Sequence, residues 1–221
     1  MIRHWIEAMR LRTLPVSVAG VIAGTGCAIL TDSFNAIPAL LCLIFAILAQ
    51  IAANFGNEYY DFKNGIDKNS TGPYPLSHHG LGDISVIIFF GIVPVVLTWY
   101  LQTSSWESVD LVLETSITVG LLASNVLMVN NYRDMEDDAA VAKRTTVVIF
   151  GRRFISTVYL LSGFISMAIM TPVFLQFPLW ALVIPLLYLI LHIKTWGRLK
   201  QSSGASINPL LGRTADRKSV V

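Results

Sequence analysis

Charge is scarce in this chain. Only 14% of its 221 residues are charged, against about a quarter in a soluble domain. With 54% hydrophobic residues, too few polar side chains remain to cover a water-facing surface, and an ordinary soluble domain is excluded. The net charge of +2 is small and gives no footing for nucleic-acid binding. There are two cysteines, Cys27 and Cys42. Both fall in apolar runs, where a thiol acts as a small hydrophobe, so they do not report a redox compartment. No small-residue cleavage site follows a short apolar region near the start, so no cleavable signal peptide is read.

Long hydrophobic runs are what the chain has instead. Several reach the roughly 20 residues that cross a bilayer. The expected fold is an all-α integral membrane bundle of about six helices, a single membrane domain over residues 1–221. Residues 1–13, with Arg3, Arg10 and Arg12 around Trp5, read as an interfacial lead-in. Spans are expected at about Leu14–Leu30, Ala36–Gly56, Leu81–Leu101, Leu111–Val129, Phe154–Leu175 and Pro178–Ile193. Gly20 and Gly24 form a GxxxG suited to close helix packing. A charged loop through Arg153 separates the fourth and fifth spans, and residues 194–221 read as a polar cytoplasmic tail.

Lys and Arg are missing from every second connection. Six spans place residues 1–13, 57–80, 130–153 and 194–221 on one side, and those segments hold all 16 of them. The positive-inside rule then makes both termini cytoplasmic.

Two polar stripes leave the spans on that side. Gln50, Asn54, Asn57 and Asp61 step by four, three and four residues, one face of a helix. Asn130, Asp134 and Asp138 are spaced by four, with Asn125 and Asn131 adding polarity. Glu136 and Asp137 point away from that face, toward water. Carboxylates at i and i+4 reach a common ion, and hard oxygen ligands around an open site suit Mg²⁺ held together with substrate phosphates. Asp67 comes round on the loop after Gly65. Lys143 and Arg144 follow the second stripe, and Arg10 and Arg12 precede the first span, where cations suit a diphosphate. Tyr59, Tyr60 and Tyr132 flank the carboxylates, and aromatic faces stabilise a cation. The plainer alternatives are helix ends meeting water, basic anchors (preferred for Arg152 and Arg153) and belt tyrosines. His78 and His79 are adjacent and point apart, so a loop or surface role is preferred over a metal pair. A cation transporter calls for carboxylates near mid-membrane. Here the acids gather at one mouth, and Glu114 lies near the far end of its span.

At these motifs the sequence resembles the UbiA superfamily of membrane prenyltransferases, and within it the MenA-like 1,4-dihydroxy-2-naphthoate polyprenyltransferase branch. The likeness lies in Asn57-Glu58-Tyr59-Tyr60-Asp61 with Asp67, in Asn130-Asn131-Tyr132-Arg133-Asp134 through Asp138, and in Lys143-Arg144-Thr145. Arg10–Pro15, Gly80–Gly91 and Asn208–Leu211 also look like that branch. The resemblance implies transfer of a polyprenyl group from an allylic diphosphate to 1,4-dihydroxy-2-naphthoate with loss of carbon dioxide, as in menaquinone biosynthesis. It implies Mg²⁺ on Asn57, Asp61, Asp67, Asp134 and Asp138, with Asp61 and Asp134 central to catalysis. Substrate contacts would come from Asn54, Asn130, Asn131, Arg133, Lys143, Arg144, Arg12, Tyr59 and Tyr132. It implies a multi-pass protein of the cell membrane, the inner one in a Gram-negative cell.

The chain departs from the branch in one place above all. About nine spans are usual there, and six are read here. After Asp67 a Gly-Pro-x-Arg stretch and two spans are expected, yet Gly72-Pro73 is followed by Tyr74-Pro75-Leu76. A last span is also expected after Asn208-Pro209, where Ala215–Val221 is short and polar. The resemblance therefore implies an internally deleted, C-terminally truncated member, and it separates descent from catalytic competence. The alternatives carried forward are another aromatic acceptor, an inactive homologue and a cation transporter.

Overall fold

The computed structural model describes residues 9, 13–63, 80–140, 143–201 and 207, with residues 57–63 described as helix backbone alone. Helix α1 is Leu14–Leu30 and α2 is Ala36–Lys63. The third span is composite: α3 (Gly82–Val86), a π-helical segment (Ile87–Ile92) and α4 (Val93–Thr103). Then come α5 (Val109–Arg133), the short α6 (Met135–Ala140) and α7 (Thr146–Phe174). A 3₁₀ turn, Leu179–Leu182, leads into α8, Val183–Gln201. Five spans are long and apolar enough to cross a membrane, and the 17-residue α1 is a shorter apolar helix beside them. The expected all-α, multi-pass membrane architecture with six apolar helices is what forms.

Helix α5 is the centre of the bundle. It packs against α7, the π segment, α1, α3 and α4, while α2 touches only α1 and α4 among the principal pairings. The burial follows: 44% of the apolar window of α5 is buried, against 0% for α2. The apolar faces of α2 and α8 are left to lipid, which suits side chains such as Ile37, Phe45 and Leu186. Two clusters lie at opposite ends. Cys27, Ala28, Val95, Trp99 and Val112 join α1, α4 and α5. Met128, Val129, Tyr132, Val147, Ile155, Tyr159 and Leu199 join α5, α7 and α8. The second cluster carries the polar end of α5. Cys27 is buried and Cys42 half-buried, and neither is in a disulfide.

The third span changes its winding for a physical reason. Pro94 supplies no N–H and clashes with the carbonyl four residues back, so the regular ladder cannot continue through it. The chain responds with a π segment, which brings its backbone against α5. A Cβ added to Gly91 would lie 2.5 Å from Gly120 Cα, and one on Gly120 would lie 2.8 Å from the Ile87 carbonyl oxygen. Only paired glycines permit this approach. Gly120→Val should lower the thermal midpoint in detergent, at a cost of about 1–3 kcal/mol from overpacking. A Gly26→Val control, at a glycine whose Cβ meets nothing within 4 Å, should change little. Equal melting of the two variants would contradict the packing argument. The expected GxxxG also packs: Gly20 and Gly24 meet Pro94, Val95 and Thr98.

Three boundaries differ from the sequence reading. The segment before Phe154 is not a plain charged loop, since Thr146–Phe150 is already helical and Gly151 (φ 81°, ψ 163°) kinks it into the span. That conformation is open to glycine alone. Helix α8 runs past Ile193 to Gln201, because Leu199 is fully buried in the second cluster and so holds the last turns helical. The stripe helix breaks at Asp134, yet Asp134 N–H bonds the Asn130 carbonyl and Asp138 N–H bonds that of Asp134, so the four-residue register survives.

Candidate functional site

The polar ends of α2 and α5 lie on the same side of the bundle, an even number of spans apart. The connections at the other end, 31–35, 104–108 and 175–178, hold no Lys or Arg.

The upper half of the first stripe faces a partner helix. Ser17 Oγ donates to Gln50 Oε1, and Gln50 Nε2 donates to Asn54 Oδ1 at 3.1 Å. Asn54 is buried and donates to the Met9 carbonyl at 2.7 Å and to Thr13 Oγ1 at 3.0 Å. Its amide ties α2 to the start of α1, which satisfies an otherwise expensive polar group in lipid. The helix continues to Lys63, so Asn57 and Asp61 keep their register with Asn54 along the backbone. The side chains of Asn57, Tyr59, Tyr60 and Asp61, and all of Arg10, Arg12, Asp67, His78 and His79, lie outside the described residues.

The second stripe is described in full. Arg133 grips Asp134 with two nitrogens, Nε to Oδ1 and Nη2 to Oδ2. Asp138 is buried, accepts from Lys143 Nζ at 2.9 Å through Oδ1, and keeps Oδ2 buried without a partner. Asn131 is buried, Asn130 is half-buried and Arg144 is exposed. Asn125 accepts from Ser162 Oγ at 2.7 Å inside the bundle. Tyr132 is buried in the core cluster, with the Arg152 guanidinium 5.3 Å over its ring. Arg152 also bonds Glu136 at 2.7 Å, which holds that exposed carboxyl below its ordinary range. Arg152 is thus a specific clamp across α6 and α7 rather than a bare anchor. Glu136 and Asp137 are exposed, as their register implies.

A residue within the Gly80–Gly91 stretch joins this group. Asp83, in the first turn of α3, is buried and accepts from Thr146 Oγ1. Asp83, Asn131, Lys143, Thr145 and Thr146 line one cavity of about 60 Å³. The structure therefore brings together Asn131, Lys143 and Asp83, with Asp138 bonded to the same lysine. No group of three or more His, Cys, Asp or Glu forms a metal cluster among the described residues.

Several known proteins are similar to this chain. A 1,4-dihydroxy-2-naphthoate octaprenyltransferase of Haemophilus influenzae is 29% identical, over 68% of this chain and 70% of its own length. One of Escherichia coli is 27% identical, over 95% of this chain and 89% of its own. A 2-carboxy-1,4-naphthoquinone phytyltransferase of Synechocystis is 30% identical over 92 residues, 41% of this chain and 29% of its own. No solved structure gives a significant match. The Escherichia coli alignment runs over 279 positions, 58 more than the 221 residues available, so at least that many positions of the relative have no counterpart here. Two spans of about 20 residues with their connections amount to about that many positions. The model of the UbiA prenyltransferase family matches residues 70–214, more than half of the chain, and the chain belongs to that family.

Proposed function

We propose that this protein transfers a polyprenyl group from an allylic diphosphate to 1,4-dihydroxy-2-naphthoate, with loss of carbon dioxide, to give demethylmenaquinone. The observation that carries the reading is the C-terminal end of α5. There Asp134 and Asp138, one turn apart, each hold a cation, and Asp138 keeps a buried oxygen without a partner. A buried, unsatisfied carboxylate oxygen fits a metal ligand. Asp134 and Asp138, with Asn57, Asp61 and Asp67 from the first motif, would hold Mg²⁺. When bound, the ion supplies Lewis-acid neutralisation of the leaving diphosphate.

The residues of the chain do the rest. Arg133 and Lys143 already sit against the carboxylates, so a diphosphate arriving there meets their N–H groups at once. Arg144 is exposed beside them, and Arg12 of the lead-in would add to that positive charge. Asn130 and Asn131 offer amide donors, and Tyr59 would supply an aromatic face to the allylic carbon, while Tyr132, buried under Arg152, holds this end of the bundle together. The apolar bundle leaves the prenyl chain in lipid while the polar chemistry stays at the mouth. The membrane is the cell membrane, with the acidic ends on its cytoplasmic side.

The test is prenyl transfer in vesicles, with the purified chain given 1,4-dihydroxy-2-naphthoate, a polyprenyl diphosphate and Mg²⁺. Product should form with Mg²⁺ and vanish with a chelator. The gap of at least 58 positions favours one other reading, a family member that has lost catalysis. Absence of product beside an active full-length relative establishes that reading instead.

A further inference from the structure

Asp83 carries an unmet hydrogen bond. It is 9% exposed, its Oδ2 accepts from Thr146, and its Oδ1 is buried with no partner. Such an oxygen is uncommon, because the full desolvation penalty of the group is left uncompensated. Thr145 Oγ1, in the same cavity wall, is also buried without a partner. The cavity is about 60 Å³. It is too small for a bicyclic ring and large enough for one polar edge of it.

The lining decides which chemistry fits. An ionised carboxylate only accepts hydrogen bonds, so the missing partner must be a donor or a cation. Lys143 lines the same space and Asp83 is the one carboxylate among the lining residues, so a metal ion would find a single anionic ligand and an opposing ammonium. A phosphate group is opposed by Asp83 itself. A neutral hydroxyl meets every wall: it donates to Asp83 and accepts from Asn131, Thr145 or Lys143. We propose that Asp83 receives a ring hydroxyl of the aromatic acceptor and so makes this site selective for hydroxylated rings. The inference rests on the aromatic prenyltransferase reading above and adds the residue that recognises the acceptor.

The position of Asp83 supports this role. The hydrogen bond to Thr146 ties the start of α3 to the start of α7, and Lys143, Thr145 and Thr146 lie on the segment that follows the second stripe. The hydroxyl would thus be fixed from the side of the basic residues, beside Asn131 of α5.

The experiment uses the full chain in vesicles and measures binding of 4-hydroxy-2-naphthoate against 4-methoxy-2-naphthoate, whose position-4 substituent is clear of the carboxylate. These probes differ in the one donor the cavity demands. The wild-type chain should prefer the hydroxy compound by about tenfold or more, as for a hydrogen bond to a charged group. Asp83→Asn still accepts from Thr146 through its oxygen and turns N–H toward the cavity, where a hydroxyl and a methoxy oxygen accept alike, so the preference should be lost. Asp83→Ser should bind both about equally. The two variants are assayed together, each checked for wild-type helicity, so failure of one to fold leaves the other. A tenfold preference that persists in a folded variant overturns the proposal, as does equal wild-type binding of the two probes. Wild-type binding of neither naphthoate overturns the acceptor reading itself, a separate outcome.

Discussion

Asp134→Ala should reduce Mg²⁺-dependent prenyl transfer by about 10²–10³-fold, the scale seen when one preorganised electrostatic contact is removed from a developing charge. Asp134 stands where α5 ends, and Arg133 grips both of its oxygens. Its removal deletes one side of the charge cluster and releases the guanidinium that should meet the diphosphate. The loss should appear in turnover as well as in diphosphate binding, because the contact strengthens as the leaving group gains charge. Asp134→Asn, which keeps shape without charge, should be nearly as impaired. Turnover within twofold of wild type in both variants would remove the second stripe from the mechanism.

Lys143→Met should be the most damaging single change to stability at this end of the bundle. Lys143 bonds Asp138, and the two side chains are 27% and 10% exposed. Removing one partner leaves a nearly buried carboxylate unpaired, which costs about 3 kcal/mol. The same change removes a cation from beside Asp138, where the diphosphate is proposed to sit, so diphosphate affinity should fall as well. Adding Asp138→Asn separates the effects. The double variant should regain most of the stability, since no charge is left stranded, and should regain none of the binding. A thermal midpoint in detergent and a diphosphate titration read the two quantities. A double variant as unstable as Lys143→Met would show that Asp138 does not depend on that lysine.

Much of the fold was legible because bilayer insertion is a one-dimensional problem. Run length and hydropathy marked all six apolar helices, and the absence of Lys and Arg from 31–35, 104–108 and 175–178 fixed their alternation. The spacing of Asn130, Asp134 and Asp138 was legible too, since the four-residue hydrogen bonds persist through the break at Asp134. What escaped depends on contacts between distant residues. Nothing local marks Asn54 as the tie to Met9 and Thr13, or Arg152 as the clamp on Tyr132 and Glu136. Asp83 reads as a lone acid at a helix start until Thr146, 63 residues on, is brought against it.

The sequence by itself determined that this protein lives in a bilayer, which helix ends share a side, and where its carboxylates gather. Each of those follows from the transfer energy of segments taken one at a time. Tertiary structure alone decided that α5 is central, that glycines 91 and 120 let the third span touch it, and that Asp83 closes a cavity with Asn131 and Lys143. Those depend on which faces meet, and close packing between helices has no period along the chain.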